Sequence, residues 1–279
     1  MKATFDGRRD VWGPVLAAQL RVWSDLVFRP AATMKTLGLY HPTEIGTRPA
    51  AAPRGGGPGL STTYSRLNLL EEEPAGYSRL RQFDLAAPEY RLAVEPYAKE
   101  IFEAVSPHVK AYAVQNSSVL EAGCGPGREA HLLAQQIPDG EVIAADLSRE
   151  MILEAWRTGK RAGIENVTYV QMDVADPPAD FANHFDVIYC QLSFHFFQDG
   201  RAVAEAFQRV LHPDGVAIVV DPGPAWFNIL SAPLAGLANP AFVKYRTGEE
   251  FCELFRVAGF ETVYWTEMLP GMGLTVAGR

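Results

Sequence analysis

Between residues 118 and 220 the chain repeats one pattern, a short, mainly apolar run followed by a longer stretch whose apolar positions recur every three to four residues. The runs fall at 118–121, 142–145, 167–170, 185–190 and 216–220. Continuous rather than alternating hydrophobicity is what a strand covered on both faces requires, so the pattern predicts five β-α units around a parallel sheet. The intervening stretches carry helix signals. Val203, Ala206, Phe207 and Val210 share one face behind Asp199, a candidate N-cap. Phe251, Leu254, Phe255 and Ala258 share another, bracketed by a capping box at Thr247 and Glu250 and by Gly259 as a left-handed stop. Residues 260–268 and 273–277, joined through Pro270 and Gly271, predict a terminal hairpin.

The chain before this region reads differently. Trp12, Val15, Leu16, Trp23, Leu26 and Val27 recur at helical spacing, which predicts an amphipathic helix whose sticky face buries against the rest of the chain or against a second subunit. Pro42, Pro49, Pro53, Gly55, Gly56, Gly57, Pro58 and Gly59 then make a linker. The expected division is a helical extension with its linker over residues 1–83, acting as a lid or homodimer arm, and one domain over residues 84–279. That domain opens on a helix from about residue 84 to 105 through Tyr90, Leu92, Val94, Tyr97, Ile101 and Phe102, with Pro88 and Pro96 as its candidate break points.

Charge and cysteine usage narrow the partners. A formal net charge of -8 without a basic stripe argues against a nucleic-acid surface. Cys124, Cys190 and Cys252 are odd in number and widely spaced, which fits a reducing cytoplasm and no structural metal. Arg21 and Asp25 interrupt the apolar stretch over residues 11–28, so neither a transmembrane segment nor a secretion signal is expected.

The chemistry concentrates at VLEAGCGPG, residues 119–127, where an apolar run ends in Glu121 and enters Gly123, Gly125 and Gly127. Glycine lets backbone approach a ligand closely; on a plainer reading the three glycines only make a tight strand-to-helix turn. Asp146 ends the second run, where a carboxylate can accept both hydrogen bonds of a ribose diol; the plainer reading is a surface acid beside Ser148. Asp173 ends the third, where it can accept from the exocyclic amine of adenine rather than serve as a loop aspartate. Leu147 and Met151 can sandwich the base, or can be core. A nicotinamide dinucleotide site would need glycine or alanine three residues beyond Gly125, and Arg128 stands there.

Taken in order, LEAGCGPG, AADLS, VQMDV, FDVIYCQLSFHFFQD, VLHPDGVAIVVD and TGEEFCELFRVAGFE resemble the class I S-adenosylmethionine (SAM)-dependent methyltransferases. The similarity covers residues 84–279 and points to the broad group that includes the ubiquinone and menaquinone C-methyltransferases; MLPGMGLTVAGR resembles their ending, whereas the first third of the chain does not match them. The resemblance implies an α/β, Rossmann-like sheet of seven mostly parallel strands, helices on both faces and an antiparallel last strand. It implies SAM as cofactor and S-adenosylhomocysteine as product. Glu121, Gly123, Gly125 and Gly127 would then surround the methionine and ribose portions, Asp146 the ribose, Asp173 and Val174 the adenine, and Cys190 or Gln191 the methionine amine.

Methyl transfer from a sulfonium asks mainly for alignment, so no protein nucleophile is required. Where the acceptor has a proton to lose, His195 is the candidate base, its plainer reading being structural. Phe194, Phe196, Phe197, Trp226, Phe227, Asn228, Tyr245 and Arg246 follow strands at the ends where open α/β sheets bind ligands, and suggest an apolar or aromatic small-molecule methyl acceptor, a natural product or quinone-like ring. Three readings stand beside this one: a SAM-binding enzyme of cyclisation or rearrangement, a nicotinamide-dependent oxidoreductase, and a non-catalytic SAM-binding scaffold.

Overall fold

The five apolar runs become five parallel strands. The computed structural model describes residues 43–51, 60, 64–74, 77–223, 241–269 and 271–279. The helix expected over residues 12–28, with its lid or dimer role, and Trp226, Phe227 and Asn228 lie outside the described residues.

In chain order the elements are β1 (Glu44–Gly46), β2 (Leu67–Asn68), a 3-10 turn (Tyr77–Arg79), α1 (Arg81–Lys110), β3 (Ser118–Ala122), α2 (Arg128–Gln136), β4 (Glu141–Asp146), α3 (Arg149–Arg161) and β5 (Val167–Gln171). Then follow β6 (Phe185–Gln191), a 3-10 turn (Phe194–Phe196), α4 (Gly200–Val210), β7 (Leu211–Pro222), α5 (Gly248–Val257), β8 (Thr262–Leu269) and β9 (Met272–Gly278). The strands form one sheet in the order β1-β8-β9-β7-β6-β3-β4-β5-β2. Strands β3 to β7 run parallel, and β9 enters antiparallel between β7 and β8. The expected seven strands are therefore present in the middle of a sheet that has nine among the described residues. The two additional strands are short edge pieces, β1 antiparallel to β8 and β2 parallel to β5, both drawn from the chain before residue 84.

Strict alternation along each strand feeds two cores, one on each face. Val119, Val142, Val167, Val187 and Val216 pack with Ile101, Phe102, Val105, Leu133 and Ile152 from α1, α2 and α3. Leu120, Ile143, Val170, Ile188 and Ala217 pack with Val203, Phe207, Phe251 and Phe255 from α4 and α5. Both faces are covered, as continuous apolar strands demand. The punctuation is as expected: Asp199 accepts from the amides of Arg201 and Ala202, Thr247 and Glu250 close a capping box, and Gly259 has φ +98°.

The helix expected to open the domain is present, and neither candidate break point interrupts it. The helix runs unbroken from Arg81 to Lys110, straight through Pro88 and Pro96. Each proline removes one intrahelical donor, and burial of Ile101, Phe102, Val105 and Val109 in the second half offsets that loss. None of the helices among the described residues is long and apolar enough to cross a membrane.

The connections set the place of the site. After β3 the chain moves outward through β4 and β5, then returns to the other side of β3 as β6. The loops leaving β3 and β6 therefore diverge and open a crevice at the carboxyl ends of the strands, where open α/β sheets bind ligands.

Candidate active site

A cavity of about 380 Å³ occupies that crevice, within the range of small-molecule sites. Its floor is the turn from β3 to α2. Gly123, Gly125 and Gly127 have φ of +74°, +50° and +83°, a left-handed conformation that side chains resist. A Cβ at Gly123 would stand 2.5 Å from Cβ of Ser193, and one at Gly127 2.5 Å from Cβ of Ala155, whereas at Gly125 it would meet nothing within 4 Å. Two glycines are thus required by close packing and the middle one faces open space. The amides of Gly123 and Cys124 both donate to the carbonyl of Ala145, at 2.8 and 2.9 Å, which ties the turn to the end of β4.

Asp146 stands at that end. One carboxylate oxygen accepts from the amide of Gly125 and the other from the amide of Ser148, both at 2.8 Å. The amide of Leu147 also bears on it, and of the about four acceptor positions of a carboxylate not all are taken by protein. Burial pushes this carboxyl up to about 6, the amides of Ser148 and Gly125 work against that, and the Asp84 charge adds to it. Leu147 and Met151 line the cavity next to it, and Met172, Asp173, Val174 and Ala175 form the wall beyond β5. One oxygen of Asp173 accepts from the amide of Ala175 at 2.9 Å.

The far end is acidic. Glu121 is buried, with one oxygen lacking a partner among the described residues. Burial first, then the charges of Glu129 and Asp146, raise its pKa well above the carboxylate range. Glu129 lines the cavity and accepts from the side-chain amide of Gln191 at 3.2 Å; the Gln191 carbonyl accepts from the hydroxyl of Tyr189 at 2.5 Å. Gln191 thus reaches the cavity wall. Cys190, one residue earlier, points to the opposite core and is fully buried, its thiol pushed up by burial. Glu121, in β3, and Gly127, at the end of the turn, do not line the cavity.

The remaining wall contains residues that the sequence patterns do not single out for a site. Arg79, Leu80 and Phe83 come from the 3-10 turn and the start of α1, and Phe83 meets Phe196 edge-on at 5.2 Å. Cys124, Pro126 and Arg128 border the glycine turn, and Leu192, Ser193, Gln198 and Asp199 follow β6. Leu192 has φ +55°, a left-handed non-glycine residue at the rim of the cavity. Of the aromatic candidates, Phe196 and Phe197 line the cavity, while Phe194 is core under α5 and carries the Arg246 guanidinium 5.1 Å over its ring.

His195 lies one layer back, its ring 3.9 Å from that of Phe196 and 5.6 Å from that of Tyr245. Its Nδ1 is 2.8 Å from a carboxylate oxygen of Asp221, at the end of β7. Asp221 is buried, and its other oxygen has no partner among the described residues. Burial, with the Asp221 charge, pushes Tyr245 up to about 12, and burial lowers the pKa of Arg246. Sequence reading misses Asp221 because it looks like the last residue of an apolar strand.

Residues 119–215 match the family model described as "Methyltransferase domain". The chain is 30% identical over 165 residues to a Mycolicibacterium smegmatis protein named "Probable S-adenosylmethionine-dependent methyltransferase", covering 59% of this chain and 60% of that one. It is 30% identical over 130 residues to nocamycin O-methyltransferase of Saccharothrix syringae, covering 46% of this chain and 44% of that one. The chain thus spans less than two thirds of the length of either relative. The crystal structure of the YcgJ protein from Bacillus subtilis superposes with a TM-score of 0.54 at 18% identity, over 63% of this chain and 97% of that one. That last likeness is one of fold.

Proposed function

Since this chain belongs to the class I SAM-dependent methyltransferases, we propose that it transfers a methyl group from SAM to a small apolar or aromatic acceptor, a natural product or quinone-like ring. The observation that carries the reading is the meeting of a left-handed glycine turn with the Asp146 carboxylate, which keeps free acceptor positions beside a cavity of about 380 Å³.

When bound, SAM supplies a methyl group already activated on a positive sulfur, so the protein's task is alignment and exclusion of water. Asp146 would accept from the ribose hydroxyls through its remaining lone pairs, and Asp173, with one oxygen committed to Ala175, would use the other for the adenine amine. Leu147, Met151 and Val174 supply apolar surface for the base. Glu129 and Asp146 line the cavity as acidic groups suited to a cationic portion of the ligand, while Glu121 behind them is pushed toward its neutral form by burial. Gln191 and not the Cys190 side chain would reach the methionine portion. For the acceptor, Phe83, Phe196 and Phe197 offer an aromatic face. The net charge of -8 speaks against a nucleic-acid acceptor.

Asp146→Ala is expected to weaken SAM binding by about 1.5–3 kcal/mol, the scale of hydrogen bonds to a charged group, or roughly ten- to 150-fold in Kd. Titration calorimetry measures this, and unaltered affinity sinks the ribose role. Turnover with a panel of phenols, quinols and a tRNA transcript, followed by product mass and S-adenosylhomocysteine release, tests the acceptor class. Consumption of acceptor with SAM recovered intact identifies a rearrangement catalyst; NADH binding in place of SAM identifies an oxidoreductase.

A further inference from the structure

The first turn of a helix leaves four amides without intrahelical partners. In α3 all four are satisfied, and three of the acceptors come from outside the helix, two of them from a segment 66 to 72 residues earlier. The Ser148 amide donates to Asp146 at 2.8 Å, the Arg149 amide to the Tyr77 hydroxyl at 2.9 Å, the Glu150 amide to Asp84 at 3.3 Å, and the Met151 amide to the Ser148 hydroxyl at 3.3 Å. Asp84 also accepts from the Ser148 hydroxyl at 2.6 Å and from the Tyr77 hydroxyl at 2.8 and 2.7 Å. Its carboxylate therefore lies at the positive end of α3 and joins that end to the start of α1.

The turn held in this way is a wall of the cofactor cavity. Ser148 is two residues from Asp146 and donates to it, so whatever fixes Ser148 also fixes the Asp146 carboxylate. The segment that supplies Tyr77 and Asp84 also brings Arg79, Leu80 and Phe83 to the cavity wall. We propose that Asp84 is a positioning residue of the SAM site: through Ser148 it sets the orientation of the ribose acid Asp146, and with Tyr77 it docks the 77–84 segment as a roof over the cofactor. This inference rests on the SAM-binding reading above.

The titratable groups facing Asp146 are Glu121 from β3, Cys124 from the glycine turn, Tyr77 and Asp84 from the roof, and Cys190 from β6. Burial holds the tyrosine and both thiols neutral by raising their pKa, and Glu121 is raised as well. The Asp84 charge raises Asp146 further, so its removal lowers the pH at which Asp146 takes up a proton. A protonated Asp146 has fewer acceptor positions for the ribose; SAM affinity should therefore fall as pH drops through about 6.

The test is the Kd for SAM measured by calorimetry from about pH 5 to about pH 8 for the full chain, Asp84→Asn, Asp84→Ala and Tyr77→Phe. Asp84→Asn keeps an acceptor for Ser148 and Glu150 but loses the charge, and its affinity midpoint should move to lower pH. Asp84→Ala and Tyr77→Phe should weaken SAM roughly tenfold at the alkaline end. If Asp84→Ala fails to fold, the Asp84→Asn midpoint decides. Tight SAM binding by all variants with an unmoved midpoint overturns the inference and leaves the methyltransferase reading intact; failure of the unaltered chain to bind SAM overturns both.

Discussion

If His195 reaches the acceptor as its base, His195→Ala slows methyl transfer by roughly 10²- to 10⁴-fold and leaves SAM affinity nearly unchanged; if the ring stays behind Phe196, turnover is unaltered. The ring belongs to a short turn that directly follows β6, and its Nδ1 is held by Asp221 at 2.8 Å. With Nδ1 engaged by Asp221, Nε2 is the ring nitrogen left to meet another group. The imidazole is separated from the cavity by Phe196, which makes the split between turnover and cofactor binding the decisive measurement. Where the ring is that base, Asp221→Asn should also depress turnover, because an amide no longer fixes the tautomer. Unchanged turnover in both variants would mean that the pair only fastens the turn after β6 to the end of β7.

The second large effect is on stability. Gly127→Ala should cost about 2–5 kcal/mol, the sum of a left-handed alanine and an overpacked contact. Its φ is +83°, and the new methyl would stand 2.5 Å from Cβ and 3.0 Å from Cα of Ala155, inside α3. Helix α3 is held by β4 and β5 and has nowhere to retreat. Urea unfolding gives the loss directly, and a variant as stable as the parent would mean that the turn can be rebuilt. Gly125→Ala makes the contrast: its φ of +50° still strains an alanine, but with open space around it the stability loss should be smaller than at Gly127, and the methyl should weaken SAM binding.

The sheet was legible because burial on two faces leaves a simple trace, a mainly apolar run, and the caps at Asp199 and Thr247 are local chemistry that needs no partner. Strands β1 and β2 were not, since EIG and LN are too short and too polar to carry a pattern; they become strands through what lies beside them. The unbroken α1 defeats the usual meaning of Pro88 and Pro96 because its second half is anchored in the core. Among site residues, the glycines and Asp146 announce themselves through type and spacing. Strand parity could have separated Gln191 from Cys190: Gln191 shares a face with Tyr189 and Val187, on the side of α1 to α3, whereas Cys190 shares one with Ile188. Arg79, Leu80 and Phe83 give no such trace, being single residues brought to the cavity by a docking event distant in sequence.

The pairing of β1 with β8 sets an order of assembly. Glu44 lies opposite Thr266 and Gly46 opposite Tyr264, so this early piece of chain has no edge to join until β8 has been made and aligned on β9. During synthesis it must wait while nearly the whole sheet forms, and contacts spanning such a distance are the slow ones. Until it arrives, the outer edge of β8 is a bare row of amides and carbonyls, the kind of border through which half-made sheets stick to one another.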